Sequence, residues 1–132
     1  MNSHKRFKVG QAAIIRNKMG QILILKKNDS WMLPGGRLEE NETCAEGLLR
    51  EIREETGIVD LLIKKVLDAD TSDDKDSYVT TFLCEIENNP KIVLSKEHQE
   101  FAWIKPEDAE LYKFWHPKIL KRISLLLENG AG

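Results

Sequence analysis

The stretch 31–58 constrains the fold of this chain more than any other. It contains a Pro34-Gly35-Gly36 loop, which cannot continue a regular element, because proline fixes its own φ and glycine admits conformations closed to other residues. Thr43 then supplies an N-cap, Glu46 completes a capping box, and Gly57 suits the position just after a helix. The sequence therefore predicts a shaped loop followed by a helix.

One face of the predicted helix is apolar. At helical spacing, four residues fall on one stripe: Ala45, Leu48, Leu49 and Ile52. We expect this stripe to pack on a β-sheet.

Three carboxylates converge on an adjoining face: Glu51, Glu54 and Glu55. Like charges at these spacings repel, and the last helical turn is the negative end of the helix dipole. A divalent cation would compensate both effects, and oxygen ligands favour Mg²⁺, with Mn²⁺ as a substitute. The alternative is an acidic, solvated helix face. The preceding glycine loop favours the metal site.

Read from Gly36, the stretch has the form G-x5-E-x7-R-E-U-x-E-E-x-G-U, where U is a bulky aliphatic residue. Every fixed position is filled: Gly36, Glu42, Arg50, Glu51, Ile52, Glu54, Glu55, Gly57 and Ile58. This pattern resembles the signature of the Nudix hydrolases, enzymes that cleave nucleoside diphosphates linked to another group. The resemblance spans residues 9–104 and implies an α/β fold, the α/β/α sandwich with a mixed β-sheet between helices.

The resemblance also implies a metal site. The three helix carboxylates and the backbone carbonyl of Gly36 would hold Mg²⁺ or Mn²⁺, and a carboxylate would accept the proton of the attacking water. Glu51 is the first candidate for this base and Glu54 the second, with Glu100 as the candidate from outside the helix.

Arg50 completes the residues predicted to support catalysis. Because it is one residue from Glu51, we expect its side chain to point away from that carboxylate. Favourable partners are Glu46, Glu54 and the loop carboxylate Glu42, and the resemblance implies that Arg50 and Glu42 hold loop and helix together.

Other candidate site residues flank this stretch. Lys26 and Lys27 end a predicted strand; both are solvated charges in one interpretation, and the resemblance assigns Lys27, with Gly35, to substrate binding. Glu97 and Glu100 precede a strand carrying a Trp, where the resemblance implies an additional metal ligand or the general base. A surface role for both acids is the alternative.

The rest of the chain predicts strands and a final helix. Strands are expected at 7–15 and 21–27, paired as a hairpin, at 59–69 with a bulge near residues 64–65, and at 77–86. A short extended piece is expected at 31–33, and we interpret Trp31 as a packing residue rather than a base-stacking platform. A helix opens at Pro106, and an amphipathic helix over about 116–128 covers the other face of the sheet.

The acidic segment 68–76 lacks the Gly and Glu of a calcium loop, so we expect a solvated loop.

Length and charge narrow the class of protein. The 132 residues fit one domain, 1–132, and a net charge of −2 gives no electrostatic argument for nucleic-acid binding. No apolar run reaches transmembrane length and no signal-peptide segment begins the chain, so a soluble, cytoplasmic protein without a membrane partner is expected. We expect a monomer or homodimer acting on a small-molecule nucleotide.

The cysteine and histidine residues show no pattern of a further catalytic or metal-binding site. Cys44 and Cys84 are far apart and are interpreted as ordinary reduced thiols. His4, His98 and His116 lack zinc-ligand spacing.

The function implied is hydrolysis of a pyrophosphate linkage, with a nucleoside triphosphate, oxidised or not, as the expected substrate. The ADP-ribose branch of the resembled family tends to have a Pro beyond the signature, which is absent between residues 59 and 89, and Tyr78 lies slightly too far along for the dinucleoside polyphosphate branch. Hydrolysis of ADP-ribose, of dinucleoside polyphosphates or of an RNA 5′ end remains an alternative, as does a binding module or regulator without turnover.

Overall fold

The computed structural model describes residues 3–128, and residues 1, 2 and 129–132 of the predicted domain lie outside the described residues. Strands in this part are β1 (Lys8–Arg16), β2 (Ile22–Lys27), β3 (Ser30–Met32), β4 (Gly35–Arg37), β5 (Leu62–Thr71), β6 (Ser77–Glu85) and β7 (Glu100–Ile104). Helices are α1 (Cys44–Thr56), the 3-10 helix Pro106–Leu111 and α2 (Pro117–Glu128). Every helix within 3–128 is too short or too polar to cross a membrane.

Strand β1 is central in the mixed sheet, which runs in the order β3-β2-β1-β6-β5. It pairs in parallel with β6 along its whole length, from Lys8↔Ser77 to Arg16↔Glu85. On its other edge, β4 pairs antiparallel with residues 10–12, and β2 meets it at Arg16↔Ile22. The hairpin expected from the sequence is thus reduced to one residue pair, because β4 occupies that edge of β1 and β2 turns away to pair with β7 and β3.

Each face of the sheet carries an apolar core. One core lies beneath α1 and contains Ala13, Ile15, Leu23, Leu25, Leu48, Ile52, Ile58, Cys84 and Ile86. The other lies beneath α2 and contains Ile14, Ile22, Ile24, Leu33, Leu83, Ile104, Ala109, Ile119, Ile123 and Leu126. Alternate residues of β1 and β2 go to opposite cores, as the strand period of two requires. The structure confirms the expected α/β/α arrangement.

The caps of α1 match the sequence. Thr43 Oγ1 accepts from the Glu46 amide at 3.1 Å, and Glu46 Oε1 accepts from the Thr43 amide at 2.9 Å. Gly57 has φ +79° and donates its N–H to the Arg53 carbonyl at 2.9 Å. The helix therefore starts and stops at the predicted residues, and the Glu46 carboxylate serves the cap.

The buried face of α1 differs from the predicted stripe. Ala45 and Leu49 are exposed, and only the other two residues of the stripe reach the core. Glu55 is buried instead, at 8% exposure, because the Gly35 amide donates a hydrogen bond to its carboxylate. One carboxylate of the face predicted to adjoin the apolar stripe is therefore buried with that stripe.

Several remaining elements appear with changed bounds. Strand β5 starts at Leu62, and a register shift between Ile63 and Lys65 confirms the expected bulge. The helix opening at Pro106 forms a 3-10 turn rather than an α-helix. Trp31 packs against the core beneath α2, with its ring 5.5 Å from that of Tyr112, which confirms its packing role.

Residues 68–71 of the acidic segment belong to β5, and the turn at 73–76 is exposed, as expected for a solvated loop. Two carboxylates of the segment are also tied to α2. Lys118 Nζ lies 3.2 Å from Asp70 and 3.3 Å from Asp73, and His116 Nε2 lies 2.9 Å from Asp73 Oδ2. The hydrogen bond with His116, followed by that with Lys118, holds the pKa of Asp73 below its usual range. The fold brings basic side chains of α2 and the residue before it close to these carboxylates, and the resulting ion pairs anchor the segment.

Candidate active site

The glycine loop is pressed between β1 and α1. Because β4 adds to the edge of β1, a Cβ on Gly35 would overlap the Gln11 carbonyl, and a Cβ on Gly36 would overlap the Glu51 carboxylate. Glycine is therefore needed at Gly35, where backbone atoms leave no room for a side chain, whereas a side chain at Gly36 would displace the Glu51 carboxylate. The loop backbone lies directly against two carboxylates of α1.

The register of β4 decides which loop carbonyl faces the helix. Backbone hydrogen bonds of 2.9 Å flank the loop on both sides: Ala13 N to Pro34 O and Leu38 N to Val9 O. The Gln11↔Gly36 pair between them is then a hydrogen-bonded pair, so the Gly36 carbonyl faces β1, which disfavours its predicted role as a metal ligand. Gly35 is opposite Ala12 in a non-hydrogen-bonded pair, so its N–H and its carbonyl both point away from β1. The Gly35 N–H points to α1 and donates to Glu55 Oε1 at 2.7 Å, and its carbonyl is on the same side.

Arg50 joins the loop to the helix. Its guanidinium binds Glu42 through two hydrogen bonds, of 2.6 and 3.0 Å, as expected for partners that hold loop and helix together. It also donates to Glu51 at 2.9 Å and lies 3.4 Å from Glu54 and 3.3 Å from Glu39. The prediction that Arg50 points away from Glu51 is wrong, because both side chains reach back to the same loop. These contacts hold the pKa of Glu42 below its usual range.

The helix carboxylates lie at different depths. The Glu51 side chain is 20% exposed and that of Glu54 is 55% exposed. Burial raises the pKa of Glu51, although its hydrogen bond with Arg50 opposes this effect. Glu51 is held in place by the loop and Arg50, whereas Glu54 is open to solvent.

Glu55 is the most strongly perturbed of the three. Burial raises its pKa to about 7, against the hydrogen bond from Gly35, and the charges of Glu51 and Glu97 raise it further. A buried carboxylate beside other carboxylates either takes up a proton or binds a cation. The donor set, which consists of carboxylates with a backbone carbonyl beside them, fits a hard divalent cation such as Mg²⁺.

A segment between β6 and β7 crosses the end of α1. Three backbone hydrogen bonds hold it: Val93 N to Thr56 O at 2.9 Å, Ser95 N to Glu55 O at 3.3 Å and Gln99 N to Lys26 O at 2.8 Å. The crossing places Glu97 and His98 next to Glu55, with one potential ligand atom from each residue within 4.8 Å of the others. Burial lowers the pKa of His98.

His98 was set aside in the sequence because histidines there lack zinc-ligand spacing. Its position next to Glu97, immediately before a strand that carries Trp103, is the signal that could have found it. Spacing rules cover ligands from one segment, whereas this group joins a helix and a distant loop.

Strand alternation separates the candidates around β2. Lys26 lies on the α2 face, where it pairs with Glu100 at 3.4 Å and lies 5.8 Å from the centre of the Trp31 ring. Glu100 is therefore on the face opposite the α1 carboxylates, which disfavours its predicted catalytic role, and Glu97 takes that position. Lys27 is exposed on the α1 side, and its charge contributes to the lowered pKa of His98.

A cavity of about 280 Å³ opens beside Gly35, on the α2 side of the sheet. Trp115 and Arg122 line it and also line an adjoining cavity of about 330 Å³, which includes Lys118 and His116. Apolar walls with basic groups at the rim suit a flat, polar ring. No sequence pattern indicates a role for Trp115 or Arg122, since only the approach of α2 to the loop brings them to this place.

The chain matches the family model of the NUDIX domain over residues 6–123. A curated relative, the nucleoside triphosphatase NudI of Escherichia coli O17:K52:H18 (strain UMN026 / ExPEC), is 36% identical over 95 residues, covering 62% of this chain and 66% of the relative. The match thus spans about two thirds of the length of such relatives.

Solved structures share the fold. The MutT protein from Methanosarcina mazei Go1 has a TM-score of 0.80 and 22% identity, with 99% of this chain and 100% of that chain covered. An Ap4A hydrolase from C. elegans, in a binary complex, has a TM-score of 0.78 and 23% identity, with 95% and 98% covered. Because the family model covers most of the chain, including the glycine loop and α1, the protein belongs to the NUDIX domain family.

Proposed function

We propose that this protein is a divalent-cation-dependent pyrophosphohydrolase, with Mg²⁺ as the expected ion, that converts a nucleoside triphosphate to its monophosphate and pyrophosphate. The observation that carries the proposal is the convergence of Glu51 and Glu97 on Glu55, which accepts a hydrogen bond from the Gly35 amide, beside a cavity with room for a nucleoside. The name of the relative NudI, a nucleoside triphosphatase, supports the substrate class.

The residues that would hold the cations are the three helix carboxylates, Glu97 and the Gly35 carbonyl. Bound cations would neutralise phosphate charge and increase the acidity of the attacking water. The glycine loop and Arg50 keep the carboxylates in place before substrate arrives, so little reorganisation is needed during the reaction.

A carboxylate accepts the proton of the attacking water. The water oxygen forms a bond to phosphorus, the bond from that phosphorus to the leaving pyrophosphate oxygen breaks, and the proton passes to the carboxylate. Glu51 and Glu54 are the candidates, and geometry favours Glu54, because Glu51 accepts a hydrogen bond from Arg50 and lies under Gly36. The exposed Glu54 can contact an incoming water.

The two sides of the loop bind different parts of the substrate. Lys27, exposed on the α1 side, would contact phosphate oxygens. On the other side, the Trp115 ring and the Arg122 guanidinium would receive the nucleobase, including oxidised bases.

The test is product identification after incubation of pure protein and Mg²⁺ with canonical and oxidised nucleoside triphosphates, ADP-ribose and dinucleoside polyphosphates. We expect metal-dependent release of a monophosphate and pyrophosphate from a triphosphate, abolished by Glu55→Gln. Turnover of ADP-ribose or a dinucleoside polyphosphate alone would replace the substrate assignment. Binding of nucleotides without any product would replace the enzyme with a regulator.

A further inference from the structure

His98 is a buried histidine that the proposed mechanism does not use. Its side chain is 2% exposed, and within residues 3–128 its Nδ1 has no hydrogen-bond partner. Its Nε2 faces Glu55 Oε2 at 3.7 Å, which is too long for a hydrogen bond. A neutral imidazole nitrogen that faces a carboxylate without a hydrogen bond is available to bind a cation together with that carboxylate.

The neighbours of His98 indicate a cation. Glu55, Glu97 and His98 each offer a ligand atom, and these atoms lie within 4.8 Å of one another. Metal–nitrogen and metal–oxygen bonds are about 2.0 to 2.2 Å long, so ligand atoms around one ion are separated by roughly 3 to 4.4 Å. Small side-chain rotations would bring the three atoms to that separation.

We propose that His98 is a nitrogen ligand of a cation held with Glu55 and Glu97, and that it raises the affinity of this site for first-row transition metal ions above what the carboxylates alone provide. Imidazole nitrogen binds transition ions better than it binds Mg²⁺, which prefers oxygen and retains its water. The inference rests on the metal site of the proposed function and specifies its chemistry. It adds His98 as a ligand from outside α1 and specifies first-row transition metal ions as the class of metal.

A direct test is pulsed electron paramagnetic resonance of the full chain loaded with Mn²⁺, once with natural nitrogen and once with ¹⁵N-histidine. The expected result is a nitrogen coupling on bound Mn²⁺ that changes with the isotope. The wild-type protein alone gives this readout, so it depends on neither turnover nor the folding of a variant.

Variants then assign the coupling. His98→Asn should remove it and weaken Co²⁺ binding by about tenfold or more, with Mg²⁺ affinity changed by less than about threefold. His4→Gln, at an exposed histidine far along the chain from the site, is the matched control and should keep both the coupling and the affinities. Circular dichroism of each variant confirms that it is folded.

The outcomes separate this inference from the proposed function. Bound Mn²⁺ without a nitrogen coupling, or a coupling that survives His98→Asn, would overturn the role of His98 and leave the carboxylate site standing. Mn²⁺ binding that Glu55→Gln does not weaken would overturn both. Isotope-sensitive coupling lost only in His98→Asn would establish the ligand.

Discussion

The Gly35 amide donates a 2.7 Å hydrogen bond to Glu55 Oε1, joining the glycine loop to a buried carboxylate of α1. This hydrogen bond only partly replaces the hydration that the carboxylate loses on burial, since the pKa of Glu55 remains raised to about 7. The metal-free site therefore carries a charge whose burial costs stability.

Replacing Glu55 with Gln should stabilise the metal-free protein above neutral pH. A folded-state pKa of about 7, against an ordinary 4.5, means that the folded protein binds the proton more tightly, so stability falls as pH rises through this window. Gln keeps an acceptor for Gly35 without the charge, and we expect a gain of about 2 kcal/mol near pH 8.

Thermal unfolding in chelator, near pH 8 and near pH 4, measures this gain, which should vanish at the acid value. Added Mn²⁺ should raise the melting temperature of the wild type and not of the variant. If the variant were less stable than wild type near pH 8, burial of the charged Glu55 carboxylate would not be destabilising the folded protein.

Replacing Glu54 with Gln should reduce turnover by several orders of magnitude while leaving the fold intact. The side chain is exposed, so the substitution should not disturb packing, and it removes the proposed proton acceptor. Glu40→Gln, at an exposed acid in the loop before α1, is the control and should retain activity. Steady-state kinetics decides the matter, and an active Glu54→Gln enzyme with unchanged metal dependence would contradict the assignment.

Arg50→Lys should weaken the connection between loop and helix. Lysine cannot reproduce the two hydrogen bonds to Glu42 together with the one to Glu51. We expect a lower melting temperature and at least about a tenfold loss of kcat. Arg53→Lys, on the exposed side of the same helix, serves as the comparison. If both variants behaved alike, the Arg50 contacts would have no special role in the site.

Trp115→Ala should raise KM for the nucleotide by about tenfold and leave kcat nearly unchanged, because the proposed contact of this ring with the base is away from the reacting phosphorus. Leu111→Ala removes another exposed apolar side chain, outside both cavities, and should change neither value. If Trp115→Ala lowered kcat without changing KM, the nucleobase would not bind at Trp115.

The two thiols should differ in reactivity. Cys44 is exposed, whereas burial raises the pKa of Cys84 to about 12, which leaves almost no thiolate at neutral pH. A disulfide-exchange reagent should therefore titrate one thiol in the native protein and the second only in denaturant. Rapid reaction of both in native buffer would mean that the core around Cys84 opens readily.

The local sequence predicted α1 and its surroundings closely. The capping box at Thr43, the stop at Gly57 and the glycine loop depend on contacts within a few residues, and such contacts are encoded in neighbouring positions. The final helix was predictable for the same reason. The carboxylate cluster was also readable, because a helix brings residues three and four apart to one side.

Long-range placement was not predictable in this way. Strand alternation put Glu100 on the face opposite the site, and only the pairing of β2 with β7 fixes which residue of β7 faces which side. The register of β4 on β1 likewise decided that the Gly35 carbonyl, not that of Gly36, turns to the helix. Both depend on hydrogen bonds between segments far apart in the chain.

By itself, the sequence determined the family pattern, the helix that carries the carboxylates and the α/β class, because these follow from local spacing and local conformational preference. Only the tertiary structure decided that Glu97 and His98 join Glu55, that Arg50 also binds Glu51, and that Trp115 lies beside the loop. Side chains from separate segments meet through sheet register and helix packing. These are properties of the assembled core, which no single stretch of residues specifies.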